Sequence, residues 1–104
     1  MSEHILEITN SDESDSFIAN NNLAVIFFGS VRCPHCRTMV PVYQELANKY
    51  KSVAFAHVEV SLVEVNDLDG VPTFAGYKNH VPVASVIGSS PDGLISMIEK
   101  KLLS

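Results

Sequence analysis

Cys33 and Cys36 are the residues best equipped for chemistry in this chain, and they are its only cysteines. They bracket a dipeptide in the run Arg32-Cys33-Pro34-His35-Cys36, a spacing that sets two thiols on one turn of a helix. A structural crosslink here would close almost no loop, so it would constrain little of the unfolded chain. Small domains stapled by disulfides also use four, six or more cysteines. Zinc would need four ligands, and only His4, His35, His57 and His80 could join the thiols. His35 lies between the cysteines and cannot easily chelate beside both, and the sequence offers no second ligand pair, so no metal is expected. Reversible thiol–disulfide exchange suits the spacing better. A thiolate attacks a disulfide sulfur, and the neighbouring thiol then resolves the mixed disulfide.

That chemistry needs one thiol ionised and the other close behind it. Leu23 to Phe28, the run LAVIFF, shows no polar alternation, as expected of a central strand covered on both faces. A short loop, Gly29-Ser30-Val31-Arg32, follows it, and a helix should begin near Pro34, since proline is favoured in a first turn. Cys33 then falls at a helix N-terminus, where unpaired N–H groups and the positive end of the helix dipole favour a thiolate. Arg32, His35 and Arg37 add positive charge around it. Cys33 is therefore the expected nucleophile and Cys36, one turn deeper, the resolving thiol. Met39, Tyr43, Leu46 and Tyr50 carry the helix onward at helical spacing, and Pro41 should kink it.

The remaining elements frame this strand–loop–helix. A strand is expected at about 4–9 and a helix at about 11–20, capped by Asn10 or Ser11, which gives β-α-β with LAVIFF. VAFAHVEV, 53–60, reads as another strand, and LVEVNDLDG as no more than a short helical turn. Residues 73–78 and 83–87 read as an antiparallel hairpin about Lys78-Asn79-His80, with Pro82 suited to an edge strand. The last helix should be capped by Ser89 or Ser90, start at Pro91, bury Leu94, Ile98 and Leu102, and end near Lys100 and Lys101. Phe27, Phe28, Phe55 and Phe74 read as core. A chain of 104 residues, 46% of them apolar, has room for one core, so 1–104 is expected to be a single α/β domain.

Composition narrows the partners. Seven basic residues against twelve acidic ones give a net charge of −5, with no basic cluster able to track a phosphate backbone, so nucleic acid is not an expected partner. LAVIFF is too short to cross a bilayer, and the opening MSEHILEITNSDESDS has no basic segment followed by an apolar one, so a cytoplasmic protein without membrane attachment is expected.

Four landmarks make the chain resemble the thioredoxin family along nearly its whole length. They are the CxxC after a buried strand, Pro41 five residues beyond Cys36, the run Val71-Pro72-Thr73, and Gly88 before the final helix. The resemblance implies the thioredoxin fold, a central mixed β-sheet flanked by helices on both faces. It implies a protein-disulfide oxidoreductase that needs no cofactor beyond its own Cys33–Cys36 couple, acts on protein disulfides, and is recharged by a thioredoxin-reductase-type electron donor; a monomer is expected. It also implies that Pro72 is cis and packed against the cysteine pair and that the backbone around Val71 receives an extended substrate segment. Read from the residues, Arg32 and Arg37 either form a solvated rim or steer acidic substrates, with Arg32 beside the substrate.

Three departures from the family pattern bear on mechanism. The family's usual tryptophan and glycine-proline pair are replaced by Arg32 and Pro34-His35, and the chain has no tryptophan. The dipeptide is that of bacterial Dsb-type oxidases, so His35 is expected to stabilise the Cys33 thiolate and make the disulfide more oxidising. The family's buried acid, six positions before the first cysteine, falls on Phe27, and the lysine that faces it aligns with His57. His57 or a water would then take the proton of Cys36, although a strand histidine can also be merely structural. The stretch 61–71 is about four residues shorter than the family's, leaving a remnant of its third helix. Two other readings remain open: a glutaredoxin-like, glutathione-dependent reductase, and a thioredoxin-like binding module whose cysteines are redox-inactive.

Overall fold

The computed structural model describes residues 4–104. Five strands, β1 (Ile5–Ile8), β2 (Leu23–Gly29), β3 (Ala54–Glu59), β4 (Thr73–Lys78) and β5 (Val81–Ile87), form one sheet in the order β1-β3-β2-β4-β5. β1, β3 and β2 run parallel, whereas β4 and β5 are antiparallel to their neighbours, so the sheet is mixed. β2 is paired on both sides and its residues from Ala24 to Phe27 are buried, which is why LAVIFF carries no polar alternation.

Side-chain alternation sorts the core into two layers. Val25, Phe27, Phe55 and Phe74 face α2 (Pro34–Lys49) and α3 (Pro91–Met97), while Ala24, Ile26, Ala56 and Val58 pack on the opposite side with Phe17 of α1 (Ser11–Ala19). Helices thus cover both faces. Tyr43, fully buried on α2, ties that helix to the sheet: its phenol lies 2.6 Å from the Ala56 carbonyl and 3.1 Å from that of Val25. Its single O–H donates to one of them at a time, a bond worth about 1 kcal/mol net.

The helix starts follow the chemistry of their caps. Asn10 accepts the Glu13 N–H at 2.9 Å while Glu13 accepts the Thr9 N–H at 2.8 Å, a capping-box arrangement that starts α1. Ser90 caps α3 through the Gly93 N–H at 3.1 Å. α3 gives way to a π-helical turn at Ile98–Leu102, with Ile98 and Leu102 buried as their spacing suggests.

Several boundaries differ from the sequence reading. β1 is shorter, ending at Ile8. β5 starts at Val81, two residues early, because Lys78 pairs directly with Val81 and leaves only Asn79 and His80, both at positive φ, to make the turn. Pro82 is accommodated because β5 is an edge strand. Tyr50 caps the end of α2 and is half-buried against the core that holds Met39, Tyr43 and Leu46; its hydroxyl reaches Glu99 at 2.5 Å. Between β3 and β4 the one turn is closed on the Glu59 carbonyl by the N–H groups of Leu62 and Val63, at 3.0 and 3.1 Å, and no helix follows before Pro72.

Candidate functional site

β2 delivers the chain to the loop at Ser30–Arg32, and α2 begins immediately after Cys33. Cys33 is itself the cap of that helix: its sulfur accepts the Cys36 N–H at 3.2 Å. A thiolate in that position receives a donor that the helix leaves unpaired and sits at the positive end of the dipole. Cys33 is partly buried and Cys36 is 2% exposed, and both thiols are free. The two sulfurs therefore differ in access before any difference in acidity.

Their acidities also diverge. The hydrogen bond from Cys36 lowers the Cys33 pKa against the opposing effect of burial, helped by the backbone N–H groups of Cys36 and His35 and by the charge of Arg37. Burial pushes Cys36 up to about 11, reinforced by its hydrogen bond to Cys33 and by the negative charges of Cys33 and Glu59, with the Ser30 backbone acting the other way. At that value roughly one Cys36 thiol in ten thousand is ionised at neutral pH, so its attack requires help with the proton.

The far side of the site comes from the β3–β4 connection. The Val71–Pro72 peptide is cis, Pro72 is buried, and the Val71 carbonyl lies 3.9 Å from the Cys33 sulfur. The Pro72 carbonyl accepts the Gly88 N–H at 2.8 Å, which fastens this segment to the end of β5. Gly88 has φ of +99°, a conformation that other residues rarely adopt, so a glycine is needed there. Gly29 is needed for space: a Cβ would come within 2.7 Å of the Phe27 ring and 3.4 Å of the Cys36 sulfur.

The site residues expected from the sequence are distributed unevenly around these sulfurs. Cys33, Cys36 and Val71 are brought together, with Pro72 next to Val71. Pro34 is the first residue of α2. The ring contact of His35 is to the Ser89 hydroxyl, at 3.5 Å, and the hydrogen bond that Cys33 receives from His35 comes from its backbone N–H. Arg32 is exposed at the rim, whereas Arg37 is the arginine that acts on Cys33; its guanidinium also bonds the Val31 carbonyl at 2.8 Å. His57 is buried and shares a cavity of about 110 Å³ with Cys36, Phe27, Ser30, Val31, Arg37 and Val40. Phe27 stands edge-on to the His57 ring at 5.1 Å and stacks on Phe74 at 4.6 Å.

Two carboxylates were not singled out from the sequence. Glu59 receives the Val31 N–H at 2.8 Å and the Ser61 hydroxyl at 2.7 Å, joining the loops after β2 and β3; burial opposes its ionisation, but these hydrogen bonds outweigh it and its pKa is lowered. Glu7 bonds His57 Nδ1 at 2.8 Å. Only the parallel register of β1 with β3, which sets Glu7 opposite His57, could have revealed it.

The family model described as Thioredoxin matches residues 5–100. The chain belongs to the thioredoxin family. Thioredoxin 1 of Plasmodium falciparum is 32% identical over 97 residues, spanning 89% of this chain and 93% of that protein. Thioredoxin H7 of Arabidopsis thaliana is 35% identical over 92 residues, 83% of this chain and 70% of that one. Among solved structures, a Plasmodium falciparum thioredoxin superposes with a TM-score of 0.88 at 31% identity, covering 93% of this chain and 99% of its own. Mitochondrial thioredoxin 3 of Saccharomyces cerevisiae, in its oxidised form, gives 0.84 at 29% identity over 91% and 93% of the two chains. This thioredoxin-family chain is thus a protein-disulfide oxidoreductase built on a dithiol–disulfide couple. Among the described residues no group of three or more His, Cys, Asp or Glu is arranged to hold a metal ion.

The opposed acidities set the pH behaviour of the two thiols. In the reduced protein Cys33 should alkylate with a rate that levels off below the ordinary thiol range of about 8.5, while Cys36 should react only as pH approaches about 11. Iodoacetamide labelling across pH, with peptide mapping, checks this; equal labelling of both cysteines at neutral pH would contradict it.

Proposed function

We propose that this protein reduces disulfides in other proteins, with Cys33 as the attacking sulfur and Cys36 as the resolving one. The observation that carries the proposal is the asymmetry of the pair: the accessible sulfur is also the helix-capping one with the lowered pKa, and the buried sulfur lies one turn behind it. The Cys33 thiolate attacks a substrate disulfide, one substrate sulfur leaves, and a mixed disulfide forms. Cys36 then attacks Cys33, the Cys33–Cys36 bond forms, and the second substrate sulfur departs reduced. Two electrons pass from the dithiol to the substrate, so no other cofactor takes part.

An extended substrate segment fits the same end of the molecule. Val71 and Pro72 offer backbone beside Cys33, and Val31, 70% exposed next to the motif, offers an apolar contact. Arg32 and Pro34 complete the exposed rim, and the charge of Arg32 favours substrates with acidic residues near the disulfide. His35 adds positive charge when protonated and so favours the Cys33 thiolate, which makes the disulfide form a stronger oxidant, and His57 assists Cys36. Recharging falls to a thioredoxin-reductase-type donor. One solved neighbour, 26% identical with a TM-score of 0.87, concerns the thiol resolving mechanism of a yeast mitochondrial 1-Cys peroxiredoxin via glutathione/thioredoxin systems, which supports protein thiols as partners. No helix among the described residues is long and apolar enough to cross a membrane. We place the protein in the cytoplasm, where thiols are kept reduced, acting as a monomer.

Insulin-disulfide reduction driven by dithiothreitol checks the central reading. The wild type should accelerate it and Cys33→Ser should return it to the uncatalysed rate; equal rates would overturn Cys33 as the attacking sulfur. His35→Gly should raise the pH at which Cys33 ionises and lower the reduction potential of the couple, and no change in either would remove His35 from the proposal.

A further inference from the structure

The proton of Cys36 has no carboxylate beside it on β2, because Phe27 fills that position. What the sheet offers is a row. Glu7, His57, Phe27 and Phe74 stand opposite one another in register across β1, β3, β2 and β4. Phe27, Phe55 and Ile5 pack on the α2 side of the sheet, and strand alternation puts His57 and Glu7 on that side too. The row therefore begins at a carboxylate on the sheet edge and runs inward beneath the helix that carries Cys36.

The chemistry of the Glu7–His57 contact determines the imidazole's protons. A carboxylate only accepts, so the hydrogen in the 2.8 Å bond to Glu7 Oε2 belongs to Nδ1. In the neutral ring the other nitrogen, Nε2, is then left as an acceptor. His57 and Cys36 both line the cavity of about 110 Å³, a mostly apolar space in which Ser30 and Arg37 are the other polar residues. The His57 side chain is 11% exposed and that of Glu7 49%, so the imidazole is shielded while its partner opens to solvent.

We propose that the Glu7–His57 pair serves the resolving step: His57 accepts the Cys36 proton across the shared cavity, and Glu7 is the positioning residue that holds the tautomer and offsets the charge of the imidazolium. The proposal rests on Cys36 being the resolving thiol. The thiol proton passes to Nε2, and the Cys36 sulfur attacks Cys33. The Cys33–Cys36 bond forms as the bond from Cys33 to the substrate sulfur breaks. The departing substrate thiolate takes the bonding electron pair and is protonated by solvent. The imidazolium releases its proton at the exposed edge beside Glu7. The hydrogen bond and negative charge of Cys33 vanish once its sulfur is bonded to substrate, but burial, the largest cause of the Cys36 shift, remains. The need for an acceptor therefore persists in the mixed disulfide.

Reaction of the reduced protein with dithiobis(nitrobenzoate), followed by stopped flow, separates the steps. The first thionitrobenzoate is released when Cys33 attacks, and the second when Cys36 displaces the one bound to Cys33. Glu7→Gln keeps the shape of a half-exposed side chain and should lower the ratio of the second rate to the first by about tenfold; His57→Gln should lower it by about a hundredfold. Adding Glu7→Gln to His57→Gln should cost no more than His57→Gln alone, because Glu7 acts through the imidazole. The titratable and charged groups around the imidazole are Glu7 from β1, Cys36, Arg37 and Tyr43 from α2, and Glu59 farther along β3. In His57→Gln the second rate should rise with pH toward the range of Cys36 itself, a dependence the wild type should not share. Unchanged ratios and profiles in both variants would overturn the proposal, and a slow second phase in His57→Gln alone would overturn the part given to Glu7. A wild type with no first phase, or a first phase that survives Cys33→Ser, would instead overturn the assignment of Cys33 and Cys36 on which the proposal rests.

Discussion

The hydrogen bond from the Cys36 N–H to the Cys33 sulfur is the contact on which the rest of the site depends. It makes the attacking atom a helix cap, so that starting α2 and stabilising the thiolate are one interaction. β2 supplies the rigid base that points the chain at this cap, and Gly29 at its end lets the chain pass close to Phe27 and Cys36. From the other side, the Gly88–Pro72 hydrogen bond anchors the segment whose Val71 carbonyl faces the sulfur. The cap and its surroundings give two chemically identical side chains opposite properties: one accessible and acidified, the other buried and held protonated.

Phe27, which lines the same cavity as Cys36, changes how that second thiol can be used. The aromatic ring gains stacking on Phe74 and edge contacts with Tyr43 and His57, which makes a well-packed but apolar neighbourhood for Cys36. Such surroundings disfavour the thiolate by desolvation, so the residue that completes the core also makes a proton acceptor more necessary. His57 is the titratable side chain of β3 that reaches the same cavity, and its hydrogen bond to Glu7 keeps it satisfied while buried. Aromatic packing and proton chemistry are therefore coupled in one row across the sheet.

The parts legible in the sequence were those set by local rules. The CxxC at a strand-to-helix junction, the helix caps to within one residue at Asn10 and Ser90, the unbroken apolar run of β2, and Ile98 and Leu102 on the last turn all follow from periods and caps within a few residues. What escaped depends on register between strands distant in the chain. Glu7 and His57 are 50 residues apart, and Glu59 meets Val31 across 28. The early start of β5 came from hairpin pairing, and the direction of the His35 ring from the Ser89 hydroxyl beyond that hairpin. The stretch before Pro72 had no clear period, in keeping with its single turn.

The central claim is that exchange begins at Cys33 and ends through Cys36. Acid-quenching the reduced protein at short times after mixing with a peptide disulfide, and mapping the trapped adduct, tests it most directly. The peptide should be found on Cys33 first and then be replaced by the Cys33–Cys36 disulfide as free peptide thiol accumulates. A peptide trapped on Cys36, or an adduct on Cys33 that never resolves, would contradict the account.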